Sequence, residues 1–342
     1  MRLDSFDYFR GLAILLIVAG HTLQPWAIDT MPEMIIGNLV LGATALFVFI
    51  SGFFFHYKFY SRFRYRQFIS KKALNVLLPY SFLTLLALAV KGLWFGEVRF
   101  EGLMWYEILK LTVQYLWTGQ IFSAYWYVSF IMLMFFLSPV FICYIRLTTR
   151  VQLILLFLFI ALSMWSHRPL GNLSPWHSVA YYTSIYLLGI VYSQYNEKIR
   201  YFISGKSVYL GILTLLIAFT KISIYGDYGN FQKLTVGLFN GLDIMILQKI
   251  ALIFFLLSVL EKLGRFDIYT LKHLANLSFA IYFIHPWVIF FVDYYHVLDV
   301  VGFLPGAIIF VVKFLCVMAI SILIARVVKL ALKDRSRYFI GW

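Results

Sequence analysis

Long apolar runs separated by short polar loops recur along the whole chain, and their spacing predicts helices that each cross a bilayer. Runs of about 20 apolar residues, the length a helix needs to span hydrocarbon, centre near Val18, Phe47, Leu83, Met134, Phe157, Tyr186, Leu213, Ile246, Ile284 and Met318. The pattern predicts an all-α fold, a polytopic transmembrane helical bundle of about ten helices. The fifth and sixth runs are short, about 152–166 and 179–194, and the eighth is interrupted by Asn240, Asp243 and Lys249, so nine and eleven are the neighbouring counts.

Orientation follows from the loops. The segments 57–74, 145–151, 195–207, 261–274 and 326–342, taken with Arg2 and Arg10, hold 21 of the 29 Lys and Arg residues. Cations held back in short loops mark the cytoplasmic side, which puts both termini in the cytoplasm, as an even number of spans requires. The opposite loops carry acids and aromatics. The longest, about 92–123, contains Leu103 to Leu111, read as a helix lying along the outer interface. Trp94, Trp105 and Trp117 there either stack on a sugar or belong to an interfacial aromatic belt. The first run has the outline of a secretory leader, but no small-x-small site precedes Asp29, so an uncleaved first helix is expected. With no internal repeat or long linker, residues 1–342 read as one integral membrane domain without an appended soluble domain.

Composition narrows this further. At 62% hydrophobic residues and a mean hydropathy of +0.85 the chain lies outside the soluble globular range. A net charge of +14 would otherwise point to nucleic acid, but its cations sit in the loops that encode topology, and a nucleic-acid partner is excluded on that ground. Cys143 and Cys316 lie in apolar runs without CxxC spacing or a Cys/His cluster. Neither a disulfide framework nor a metal site is indicated, and both are expected to pack inside the bundle.

Against this apolar background a few polar residues stand out. Arg10 and His21 are eleven residues apart in the first run, so at about 100° and 1.5 Å per residue they share a helix face some 16 Å apart along the axis. An ionisable group inside a membrane is a candidate for function; the alternative is a histidine bonded to a neighbouring helix and a simple flanking arginine. His285 precedes Pro286 in the ninth run, where a loosened helix would form a cavity wall. Asp243, at roughly the depth of His21, needs a partner: His21 itself, Lys313 or the substrate. The loop from Lys58 to Lys72 holds six cations and no acid, a density that suits a multiply phosphorylated ligand but also anionic membrane lipid. Ser51-Gly52 reads as a close helix contact rather than as a base-activated serine.

Taken in order, these stretches resemble the acyltransferase 3 family of integral membrane transferases. The resemblance rests on the Arg10 to His21 spacing, Gly42 to Phe53, Phe68 to Tyr80 with its basic residues ahead of Pro79, Tyr125-Trp126-Tyr127-Val128 followed by Pro139, and Leu277 to Pro286. One departure stands out: Lys71 and Lys72 replace the arginine pair that the family often carries, and Asn75 takes the third basic site, so Arg62, Arg64 and Arg66 upstream would compensate.

The resemblance implies transfer of an acyl group, usually acetyl, from cytoplasmic acetyl-CoA to a hydroxyl of a surface polysaccharide or lipid-linked glycan, with acyl-CoA as co-substrate and no metal. The setting would be a plasma membrane, the inner membrane of a bacterium, and homo-oligomerisation stays open. The expected roles are His21 as general base, with Asp243 and His285 as further catalytic candidates. Arg10, Lys71, Lys72, Arg62 and Arg66 would hold the donor, and Trp126, Tyr127 and Trp105 the acceptor. A carrier or flippase for a lipid-linked sugar, and a non-catalytic subunit of a polysaccharide synthase complex, are the rival readings; the paired, matching interruptions common in carriers are not found.

Overall fold

The computed structural model describes residues 4–234, 241–263 and 267–342, so Arg2 and Asn240, named above, and part of the basic segment 261–274 lie outside the described residues. Within them the chain is almost wholly helical. In order the helices are α1 (Asp4–Thr22), α2 (Met31–Val40), α3 (Thr44–Phe54), α4 (Tyr65–Lys72), α5 (Leu78–Leu93), α6 (Trp105–Thr118), α7 (Trp126–Phe136) and α8 (Ser138–Arg146). There follow α9 (Thr149–Ser166), α10 (Pro175–Gln194), α11 (Asn196–Ile203), α12 (Ser207–Tyr225), α13 (Met245–Leu263), α14 (Tyr269–Tyr294), α15 (Gly306–Leu332) and the short α16 (Arg337–Ile340). The two strands among the described residues, Arg168–Pro169 and Gln232–Lys233, pair in parallel and tie two loops together.

Each of the ten predicted run centres falls in a helix. Six helical stretches are long and apolar enough to cross a membrane, or seven if α7 and α8, bent by 54° ahead of Pro139, count as one broken span. The other three centres, Val18, Tyr186 and Ile246, lie in α1, α10 and α13, whose polar residues lower their hydropathy. These three are interior helices: α10 carries sixteen buried positions, from Pro175 to Ser193. A helix surrounded by protein tolerates hydroxyls and charges that lipid would reject. The stretch predicted as interfacial falls in α6, which begins two residues after Leu103 and runs seven residues beyond Leu111.

Two close approaches set the geometry of the site. A Cβ on Gly52 would meet the Tyr186 carbonyl oxygen at 2.1 Å, and one on Gly189 the Phe49 oxygen at 2.2 Å, so α3 and α10 touch backbone to backbone, as expected for small residues at a helix interface. A Cβ on Gly11 would likewise stand 2.4 Å from the Leu271 oxygen, pressing α1 on α14. Arg10 then donates to the Ala275 carbonyl and to Ser278 Oγ, while the His21 and His285 rings lie 5.4 Å apart. Both helices therefore climb in the same direction and in step. α14 continues through Pro286 without a break, so the proline does not open a gap in the helix assignment. Cys143 and Cys316 are exposed on their helices rather than packed within the bundle: both fall on outward faces that apolar composition alone does not distinguish from inward ones.

Candidate active site between two cavities

On the Arg10 end of α1 a cavity of about 260 Å³ is lined by Arg10, Lys58 and Lys72 among apolar and aromatic side chains, with Ser51 and Ser278 as its hydroxyls. The Lys72 ammonium lies over the Phe59, Phe68 and Phe135 rings at 4.4 to 5.4 Å, and Lys58 stands 4.4 Å over Phe54. Both ammonium groups thus rest on aromatic faces at the wall of the cavity. Beside it Arg62, Arg64 and Arg146 line a more open cleft of about 700 Å³, and Lys71 a small recess with Arg62 and Arg64. The cationic loop thus divides its residues: Lys72 turns into the cavity, Lys71 and Arg62 to the clefts. Arg66 and Asn75 are exposed and line none of these spaces.

His21 occupies the last turn of α1. With Phe47, Trp126, Tyr127 and Tyr282 it lines a void of about 10 Å³, at most the size of a single water. Phe47 and Tyr127 also line the cavity of Arg10, so both rings stand between it and the void at the histidine. On the other side His21 Nδ1 lies 3.1 Å from Ser123 Oγ, and Ser123 opens into a cleft of about 520 Å³ lined by Lys91, Glu97, Gln120, Phe290, Asp293 and Tyr294. The turn bearing Ser123 is fastened to α14: Tyr125 donates to the Phe283 carbonyl at 2.8 Å and receives Trp287 Nε1 at 3.1 Å, and Tyr282 donates to the Ala124 carbonyl.

His285 donates through Nδ1 to the Ile281 carbonyl at 2.9 Å, leaving Nε2 buried and without a partner among the described residues. Asp243 differs from expectation. It lies just before α13, fully buried, and accepts from the Tyr181 hydroxyl at 2.8 Å and the Met245 amide at 2.9 Å. His21 is not its partner, nor is Lys313, which pairs with Asp293 at 2.6 Å. Depth counted along one helix gives height in the bundle but not the neighbour. Lys249 is bound to the Asn38 and Leu39 carbonyls. Trp126 and Tyr127 are buried beside His21, Tyr127 also lining the cavity of Arg10, and neither lines the cleft at Ser123, while Trp105 is 74% exposed on α6 and lines none of the cavities.

Three residues were not expected at the site. Lys58 was one cation among six in its loop, and Ser123 merely preceded the Tyr125 to Val128 motif. Arg168, in the first strand, holds its guanidinium 4.6 Å over the Trp126 ring and binds Asn172 Oδ1 through Nε, so a buried cation stands one ring away from the void at His21. Among the described residues no three His, Cys, Asp or Glu side chains converge as metal ligands.

The whole arrangement lies within one recognisable domain: the family model described as an acyltransferase domain matches residues 3–326. The chain belongs to the acyltransferase 3 family. It is a multi-pass membrane acyltransferase, in keeping with the resemblance carried by the Arg10 to His21 spacing and the stretches that follow it. No curated protein and no solved structure matches it.

Both carboxylate oxygens of Asp243 are taken up by Tyr181 and the Met245 amide. Asp243→Asn, which keeps an oxygen for the Tyr181 hydroxyl, is expected to leave acyl transfer within a few-fold of wild type, whereas Asp243→Ala strands that buried hydroxyl and the Met245 amide. Each stranded group costs about 1–3 kcal/mol, so the Ala variant should melt earlier in detergent; a large loss of turnover in a well-folded Asn variant would return Asp243 to the catalytic group.

Proposed function

We propose that the chain moves an acyl group, acetyl by preference, from cytoplasmic acyl-CoA to a hydroxyl of a surface polysaccharide or of its lipid-linked precursor, in the plasma membrane. The observation that carries this reading is the placement of His21 between a cation-lined cavity and a cleft of polar and aromatic side chains at the opposite end. The donor is bulky and polyanionic at one end and thin at the other. Arg62, Arg64, Arg146 and Lys71 suit its nucleotide phosphates, which pair with Arg forks and Lys point charges. The narrower cavity of Arg10, Lys58 and Lys72 suits the pantetheine arm and its acyl end. Phe47 and Tyr127 must turn aside for the thioester to reach His21, because the void there holds no more than a water.

Transfer from a thioester to an alcohol needs a base for the hydroxyl proton, and neutral imidazole is suited to that role. His21 takes it. Sugar hydroxyls approach from the cleft of Gln120, Phe290 and Tyr294, whose aromatic faces and amide fit a pyranose ring. Its charged groups Lys91 and Glu97 are bonded to each other at 2.8 Å.

The test is saturable binding of acetyl-CoA to the purified protein in nanodiscs, compared with an analogue lacking the nucleotide phosphates. Tight binding of acetyl-CoA with at least tenfold loss for the analogue is expected. Absence of binding by well-folded protein would overturn the reading and turn attention to transport of lipid-linked sugar.

A further inference from the structure

The hydrogen-bonding position of His21 that faces the outer cleft is already taken by a side chain of the protein itself. An acceptor hydroxyl entering from that cleft would have to displace Ser123 from His21 Nδ1 before it could be activated. The separation of 3.1 Å is within the roughly 2.6–3.2 Å expected of a nucleophile and its base, and Ser123 is exposed to the cleft. Its turn is held in place by the Tyr125 and Tyr282 bonds to α14 and to the turn backbone, so the pair does not depend on a mobile side chain alone. We propose that Ser123 is the first acceptor, a covalent relay that carries the acyl group from the donor side of His21 to the outer cleft; this rests on the acyltransferase reading above.

The steps balance without another reagent. With its own proton on Nε2, His21 accepts the Ser123 hydroxyl hydrogen at Nδ1 while Oγ attacks the thioester carbonyl. The C–S bond breaks, and the leaving thiolate takes that proton and departs as the free CoA thiol. The acyl group is then an ester on Ser123, facing the cleft. A sugar hydroxyl attacks it, His21 takes the hydroxyl proton, the bond from the acyl carbon to Oγ breaks, and Ser123 regains its hydrogen. The His285 ring stands 5.4 Å from that of His21, its Nε2 without a partner among the described residues. The relay removes a steric difficulty, since a sugar ring never has to enter the void of about 10 Å³ beside His21.

The experiment needs no acceptor. Wild type, Ser123→Ala and Ser123→Cys in nanodiscs are mixed with acetyl-CoA labelled in the acetyl group, and CoA release and protein-bound label are followed, with the labelled peptide identified by mass spectrometry. Wild type is expected to give a burst of about one CoA per chain, with label on the Ser123 peptide that alkali removes. Ser123→Ala should bind acetyl-CoA as wild type does but give neither burst nor label, and Ser123→Cys should yield a thioester that neutral hydroxylamine cleaves. Label persisting in Ser123→Ala, or wild type that binds and turns over acetyl-CoA with no acyl-Ser123 peptide, overturns the relay and leaves direct transfer standing. If Ser123→Ala fails to fold, the wild-type peptide map and the changed lability in Ser123→Cys decide alone. Wild type that does not bind acetyl-CoA at all removes acetyl-CoA as the donor, and the relay with it.

Discussion

Replacing His21 with Ala is expected to reduce acyl transfer by about 10²–10⁴-fold, the usual contribution of a positioned general base, while acetyl-CoA binds with nearly unchanged affinity. The separation follows from geometry. His21 lies beyond Phe47 and Tyr127 from the cavity that holds the cations, and no donor phosphate reaches it. Turnover and binding measured side by side in nanodiscs check this; equal losses in both would mean that His21 supports the donor site rather than the chemistry. Ser123 lies 3.1 Å away, so loss of both residues should cost little more than loss of either. Groups that act as one unit are not additive.

The second large effect belongs to the donor cations. Lys72→Ala is expected to raise the dissociation constant of acetyl-CoA by about 10–100-fold, since a hydrogen bond to a charged group is worth about 1.5–3 kcal/mol. Its contacts in the free protein are the faces of Phe59, Phe68 and Phe135, so little folding energy goes with it. Arg10→Ala should weaken binding as much and lower thermal stability as well, because Arg10 also bonds the Ala275 carbonyl and Ser278 on α14. Isothermal titration together with melting curves separates the two. An unchanged affinity in Lys72→Ala would show that the pantetheine arm does not enter this cavity and that binding rests on Arg62, Arg64, Arg146 and Lys71. Lys72→Arg should restore binding if charge alone matters.

Arg10 and His21 were legible in the sequence because they share one helix, where periodicity fixes which residues face together. The close contact at Ser51-Gly52 was legible for a related reason: small residues at membrane helix interfaces carry a local signal. What joins different helices left no such trace. Asp243 precedes α13, and only a bond across the fold from Tyr181 on α10 supplies its partner. Ser123 sits in a turn whose register depends on Tyr125 and Tyr282 bonding across to neighbouring backbone. Hydropathy identified lipid-facing helices well. It marked α10 and α13 less clearly, as a short run and an interrupted one, because the polar residues that interior helices tolerate also make them look less like spans.

The slender partition at His21 has a consequence beyond catalysis. In an energised membrane each elementary charge carried across the potential is worth about 2.3 kcal/mol per 100 mV, and two deep cavities facing each other concentrate most of that drop across Phe47, Tyr127, His21 and Ser123. In such a membrane this thin stretch would be the electrical insulation, and an acyl group handed across it would have to pass as through an airlock, with one door shut before the other yields.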